Sequence, residues 1–404
     1  MVKTVPNPVS MMRSSSSAVP RRLRGLLSLD DFEGRARRHL PLSIFGYVSG
    51  GVEDDVTLSE NRLAFRRIGL RPRVLRDVSG RDLTTRLFGQ DYALPFGIAP
   101  MGFSALAAFD GDVVLAKGAR AAGSFAICSA ASLTPLERVA SDGGSRWFQS
   151  YIPGDRDRIA GLLDRVTRAG FDTLVVTADV PVAGNRENNA RNGFDAPLKI
   201  TPQLAWQGIT HPRWVLGTLA REIAARGMPH FENMEAVQGP PLFSRDLVRS
   251  KIARDELSWD HIRFIRQIWP GKLVVKGILD VEDARLAADA GCDGIIVSNH
   301  GGRQLDGVIS PLEVLPVIRA ALPDMVVMFD SGIRRGTDVL KAIMLGADFV
   351  FVGRPFLYAA AVYGEAGVVH AMNLLRDEID RDMALLGITT PMAARDYAPV
   401  PLPG

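Results

Sequence analysis

Residues 273–299 read LVVKGILDVEDARLAADAGCDGIIVSN, and this unit decides how the rest of the chain is read. Leu273–Gly277 and Gly294–Asn299 are short apolar runs rich in β-branched residues, suited to buried strands. Between them Val281–Ala290 mixes Ala and Leu with Asp, Glu and Arg as an amphipathic helix does. Gly291 follows at the position where such a helix ends. Strand, helix and strand in so short a span make a parallel βαβ unit.

The unit recurs in both directions. Further strand-like runs are Leu94–Pro100, Phe125–Ser129, Trp147–Tyr151, Leu174–Asp179, Met325–Ser331 and Phe349–Pro355. Helical stretches at Arg156–Ala169 and Thr337–Leu345 again stop at glycines, Gly170 and Gly346. Eight strands alternating with helices predict an α/β fold, a (β/α)8 TIM barrel, over residues 94–390. The alternative, a doubly wound open sheet, lacks the Gly-x-Gly-x-x-Gly that should follow its first strand.

The flanks follow from this frame. Residues 1–29 hold no acidic residue, several arginines and the run Ser14-Ser15-Ser16-Ser17. That composition predicts a disordered basic tail, an organellar import signal being the other reading. Residues 30–93 are expected to form an N-terminal helical segment carrying Tyr47, and 391–404 a C-terminal tail. One connection, about 196–257, is far longer than the rest and contains Trp206, Trp214, Met228 and Phe231. Such an insertion serves as a lid, a partner surface or a membrane contact. Its stretch Trp214–Arg226 predicts a short amphipathic helix with basic ends, fit to lie on a membrane but not to cross it.

Composition narrows the function classes. The chain has 404 residues, 47% hydrophobic and 23% charged, with net charge +3, so the balance is globular and gives no basic field for nucleic acid. Its 2 cysteines, Cys128 and Cys292, form no metal-ligand spacing and suit a reducing compartment. No metal is expected. A cytoplasmic location follows, with peripheral attachment to the inner membrane face through 196–257 as a variant of it.

Barrel enzymes place their chemistry at the C-terminal ends of strands. Those positions here are Pro100-Met101-Gly102, Ser129, Gln149 and Tyr151, Thr177 and Asp179, Lys276, Ser298, His300 and Arg303, Asp330-Ser331-Gly332, and Gly353-Arg354. His300 offers a proton acceptor near neutral pH, and Arg303 a planar cation matched to a carboxylate. Glycines and arginines after the last two strands (Gly332, Arg334, Gly353, Arg354) are where many barrels hold a phosphate.

With Ser298-Asn299-His300-Gly301-Gly302-Arg303-Gln304-Leu305-Asp306, Trp147–Tyr151, Val176–Asp179 and Val275–Gly277, the sequence resembles the FMN-dependent α-hydroxy-acid dehydrogenase/oxidase family over about residues 30–390. The resemblance implies FMN as cofactor, an L-2-hydroxy acid as substrate, a quinone or other carrier as electron acceptor, and a homotetramer. An oxygen-using oxidase, or a flavin-binding protein that has lost its chemistry, are the alternatives. His300 would be the base, Asp179 its orienting carboxylate, and Tyr151 the donor to the substrate oxygen. Arg303, Arg186 and Tyr47 would bind the substrate carboxylate, an Arg186–Glu187 ion pair being the structural reading of Arg186. Lys276 would stabilise reduced flavin. Pro100, Met101, Gly102, Ser129, Gln149, Thr177, Ser298 and Asp330 would line the ring, and Gly332, Arg334, Gly353 and Arg354 the phosphate. Gly102 resembles the dehydrogenase branch, and small Ala131 and Ala183 at the substrate end imply room for a bulky side chain.

Overall fold

Eight parallel strands form the wall of the molecule in the computed structural model, which describes residues 20–194, 201–242 and 254–402. They are β1 (Phe96–Ile98), β2 (Ile127–Ser129), β3 (Trp147–Ser150), β4 (Thr173–Thr177), β5 (Lys272–Ile278), β6 (Gly294–Val297), β7 (Val326–Asp330) and β8 (Phe349–Val352). Every strand pairs with its sequence neighbour, β8 pairs with β1, and a parallel bridge from Ile98 to Ala126 closes the ring. The fold is the expected (β/α)8 barrel, and each expected strand is present.

The two-residue period of a strand sorts side chains between the interior and the helices. Ile127, Trp147, Val175, Val274, Ile296 and Met328 form one apolar interior layer with Phe349 and Phe351 of β8. Two residues further along each strand the same face carries Ser129, Gln149, Thr177, Lys276, Ser298 and Asp330. The barrel is therefore apolar below and polar above, and the change occurs within one pleat. Gly97 makes the floor possible: a Cβ there would sit 2.9 Å from the Phe125 carbonyl oxygen and 3.2 Å from the Phe349 ring. The hairpin Thr85–Leu87/Gln90–Tyr92 plugs the lower end with Leu87, Phe88 and Tyr92. Its two-residue turn, Phe88 and Gly89, has φ of 48° and 82°, the doubly left-handed turn that matches strand twist.

The helices follow the sequence pattern. Arg156–Arg168, Val281–Asp289 and Gly336–Met344 end at Gly170, Gly291 and Gly346, all with positive φ. The last helix, Arg354–Leu386, is broken at Gly364.

Several flanking expectations change. Residues 1–19 of the basic tail lie outside the described residues, but 20–29 are not loose: Leu23, Leu26 and Leu29 are at most 2% exposed, buried in the main core. Serine-rich composition stops at residue 17, and leucines at a three-residue spacing supply the packing face. The 30–93 segment has helices Leu29–His39, Leu42–Ser49 and Val56–Arg66 and then the hairpin, so only its first half is helical. The C-terminal segment returns to it, Val400–Pro401 pairing with Ile68–Gly69. In the insertion, 195–200 and 243–253 lie outside the described residues. The helix expected at Trp214–Arg226 is part of a helical run that starts at Pro212 and contains a π turn at Val215–Leu219. Trp214, Thr218 and Glu222 are its buried face, and the Trp214 indole donates to the Leu106 carbonyl at 2.8 Å. That face docks on the barrel, so it is not the one available to a membrane.

Candidate active site

The polar layer opens into a cavity of about 150 Å³. Each strand end contributes. His300, three residues beyond β6, takes φ of +58°, and Gly301 and Gly302 continue the left-handed turn. This costs backbone energy that functional sites often retain. Two groups hold the turn from outside it. Asn299 and Asn61 exchange a reciprocal amide pair at 2.8 and 2.7 Å. Asp306 accepts from the main-chain N–H groups of Asp54, Val56 and Thr57, capping the helix Val56–Arg66. The histidine loop is thereby fixed to the N-terminal segment.

Within the cavity, His300 Nδ1 lies 2.9 Å from Asp179 Oδ1, and its Nε2 lies 3.4 Å from the Tyr151 hydroxyl. The carboxylate makes Nδ1 the protonated nitrogen and leaves the Nε2 lone pair facing the cavity. Burial depresses the imidazole pKa; Asp179 acts against this, Lys276 and Arg186 reinforce it, and the result is below the ordinary histidine value. For Asp179, burial pushes upward but His300 and Lys276 outweigh it, so the carboxyl stays below its usual range. Taken together, the pair at neutral pH is a carboxylate accepting from a neutral imidazole. Tyr151 is raised by burial and by the Asp179 charge, and remains a phenol able to donate.

Lys276 Nζ donates to Ser298 Oγ at 2.7 Å and lies 3.0 Å from Asp330 Oδ2, both side chains being almost fully buried. Burial opposes its charge, but Asp330 and Asp179 more than compensate, so the ammonium is kept. Beside it a relay crosses three strands: Ser129 Oγ donates to Gln149 Oε1 at 2.9 Å, and Gln149 Nε2 to Thr177 Oγ1 at 2.9 Å.

Four arginines line the same cavity. Arg303 donates to the carbonyls of Tyr47 and Gly50 at 2.7 and 2.8 Å and lies 4.9 Å over the Tyr47 ring. Arg186 donates to the Arg303 carbonyl and to Gln304 Oε1. Its expected alternative partner, Glu187, pairs with Arg191 instead. Arg354 donates to the carbonyls of Val48, Gly301 and Gly50. Arg334 donates to the Ile333 carbonyl and reaches Asp30 only at 3.5 Å. Among the described residues, no carboxylate forms an ion pair with Arg186, Arg303 or Arg354. Burial lowers Arg303 to about 9 and Arg354 to about 10. Grouping buried cations without anions is unfavourable, and an anionic ligand removes the penalty.

Most of the expected site residues are brought together here, including Pro100, Met101, Gly102, Gly332 and Gly353. Ser129 and Ser298 do not line the cavity; they stand behind Gln149 and Lys276 and act on them. Ala131 lines it, but Ala183 does not: it is exposed on the loop after β4, beside Val182 at 65% exposure. Val48, Ala99, Ile333, Phe351 and Leu357 also line it, unforeseen. Strand alternation alone would have placed Ala99 and Phe351 on the inner face.

A tricyclic ring system bearing a phosphate fits these donors. There is a flat polar relay, a buried cation, and at one end glycines with Arg334, while Arg186, Arg303 and Tyr47 are left for a second anion. The sequence of the FMN-dependent dehydrogenase family matches residues 36–397. The L-lactate dehydrogenase of Pectobacterium atrosepticum is 40% identical over 362 residues, 88% of this chain and 92% of that protein. A putative L-lactate dehydrogenase of Mycobacterium tuberculosis is 39% identical over 376 residues, 91% of this chain and 88% of that protein. Among solved structures, that of the monotopic membrane protein (S)-mandelate dehydrogenase superposes with a TM-score of 0.87 at 35% identity, covering 94% of this chain and 100% of that one. A mandelate oxidase with (S)-2-phenylpropionate superposes with a TM-score of 0.77, also at 35% identity, covering 93% of this chain and 98% of that one.

Proposed function

The chain belongs to the FMN-dependent dehydrogenase family, and from that premise we propose that it oxidises a bulky L-2-hydroxy acid to the 2-keto acid and passes the electrons to a quinone or similar carrier. One observation carries the reading. His300 Nε2, 3.4 Å from the Tyr151 hydroxyl, faces the same cavity as arginines that have no carboxylate partner among the described residues, which is what a base working on an anionic substrate requires.

Arg303 and Arg186, with the Tyr47 hydroxyl, bind the substrate carboxylate, and two planar cations fix its plane. Tyr151 donates to the substrate's C2 oxygen. His300 Nε2 accepts one of the two protons that the CH–OH group gives up, and Asp179 stabilises the resulting imidazolium through Nδ1. FMN, when bound, supplies the two-electron sink. Gln149, Thr177 and the Pro100–Gly102 turn would hold its ring, Lys276 would offset the negative charge of its reduced form, and Gly332, Arg334, Gly353 and Arg354 would hold its phosphate. Arg354 spends its donors on three carbonyls, so its part is to shape that end as well as to lend charge.

A small residue in the lining, Ala131, supports a bulky substrate; Gly102 packs so closely against it that a Cβ there would lie 2.7 Å from that of Ala131. The expected result is anaerobic bleaching of the flavin by L-lactate or (S)-mandelate, faster with the larger acid. If no 2-hydroxy acid bleaches it, the reading fails; high peroxide yield in air with poor quinone reduction would transfer it to the oxidase class. Because the reactive form is neutral His300, kcat/KM should fall toward acid pH with a midpoint below the ordinary histidine value of 6.5.

Peripheral membrane attachment is supported by a separate observation. Among the described residues no helix is long and apolar enough to cross a membrane. Trp206 and Ile209, three apart on the insertion helix Pro202–Thr210, are 64% and 70% exposed, and Leu216 is 72% exposed. Trp206→Ser/Ile209→Ser should abolish co-sedimentation with anionic vesicles and leave flavin reduction unchanged. Equal sedimentation of variant and parent would remove the insertion as the attachment surface.

A further inference from the structure

Gln304 belongs to the histidine loop but has no part in the chemistry derived above, and its side chain is fully occupied. Its Oε1 accepts from Arg186 Nη2 at 2.7 Å. Its Nε2 donates to the main-chain carbonyls of Asp179 and Val182, both at 3.2 Å. The amide therefore joins the loop after β6 to the loop after β4 at the two points where that loop carries function: the carboxylate that orients His300 and the guanidinium that faces the cavity.

Around it the loops are in close contact. A Cβ at Gly184 would lie 2.7 Å from the carbonyl oxygens of both Arg303 and Gln304, so the main chains touch there. A Cβ at Gly277 would lie 2.6 Å from Asp179 Cβ, so Asp179 is confined from the β5 side as well. Only the amide fits the contacts at residue 304. A carboxylate would keep the Arg186 contact but turn oxygen toward two carbonyls, and an apolar side chain would lose all three bonds.

We infer that Gln304 is a positioning residue that sets Arg186 for the substrate carboxylate and Asp179 for His300 through one amide. The inference rests on the proposed function of the site. Two substitutions separate its halves. Gln304→Met keeps length and volume and removes all three hydrogen bonds; Gln304→Glu keeps an acceptor for Arg186 and removes the two donations.

In the FMN-loaded enzyme, Gln304→Met should raise KM about tenfold and slow anaerobic flavin reduction about tenfold, the scale of hydrogen bonds to charged groups. Gln304→Glu should slow reduction with KM within about threefold of the parent. In Gln304→Met the acid limb of kcat/KM should move to lower pH. His300 is faced by Asp179, Tyr151, Lys276 and Arg186, and a loosened Asp179 withdraws the one carboxylate among them that raises its pKa. Flavin absorbance and the thermal midpoint report folding in each case, and Gln304→Glu decides the matter if Gln304→Met does not retain flavin.

Unchanged KM, reduction rate and acid limb in flavin-loaded Gln304→Glu and Gln304→Met would overturn the inference. So would a fall in thermal midpoint with normal kinetics, which is a structural role only. If the parent enzyme itself is not reduced by any 2-hydroxy acid, the functional reading fails first, and the two failures are distinct.

Discussion

His300→Gln is expected to yield a folded, yellow protein whose flavin is no longer reduced by the 2-hydroxy acid, a loss of roughly 10²–10⁴-fold in the reduction rate. The size follows from what the substitution removes. His300 Nε2 is the neutral acceptor facing the cavity, and among the described residues no other side chain there is both neutral and basic near pH 7. Lys276 keeps its proton because of Asp330 and Asp179, and Tyr151 keeps its own because of burial. A glutamine amide can take up hydrogen bonds in the same volume but accepts no proton. Stopped-flow mixing without oxygen measures this directly. Reduction within about tenfold of the parent rate would remove His300 as the base.

Lys276→Met should have the largest effect on stability. Its removal leaves the Asp330 carboxylate, whose side chain is 9% exposed, without its cation. Breaking a buried pair in this way costs about 3–5 kcal/mol. The double replacement Lys276→Met/Asp330→Asn should recover most of that loss, because no buried charge is stranded, and yet should still reduce flavin slowly, because the cation beside the reacting ring is absent. Denaturant midpoints measure the first effect and anaerobic reduction the second. A double variant that recovers both stability and rate would make Lys276 a structural residue only. A single variant as stable as the parent would mean the pair does not contribute to folding.

The barrel and most of its site were legible because both are local. Residues 273–299 show strand, helix and strand by spacing alone, and a two-residue period puts Lys276 on the same face as Val274. Gly170, Gly291 and Gly346 marked helix ends because a left-handed residue there has few alternatives. The motif through His300 could be read as one piece because its turn is contiguous in the chain.

Relations between loops could not be read. Ala183 was expected to line the substrate end, but it is exposed on the loop that Gln304 holds by the carbonyls of Asp179 and Val182. Trp214 and Glu222 looked like parts of a membrane-facing helix, yet both are buried, Trp214 donating to the Leu106 carbonyl and Glu222 accepting from the Asp110 N–H, each over a hundred residues away in sequence. Ser129 and Ser298 stand at strand ends as expected, but the longer Gln149 and Lys276 side chains line the cavity while the serines hydrogen-bond to them.

The sequence by itself determined the eight strands and the polar layer above the apolar one. Each of these depends on period, turn chemistry or residue type within one segment. Only the tertiary structure decided that Nδ1 of His300 meets Asp179 while Nε2 faces the Tyr151 hydroxyl and the cavity, that among the described residues no carboxylate pairs with Arg186, Arg303 or Arg354, and that one amide ties the two functional loops. Those facts depend on distances between segments, and burial, which sets the charge of each group, exists only once the segments are packed.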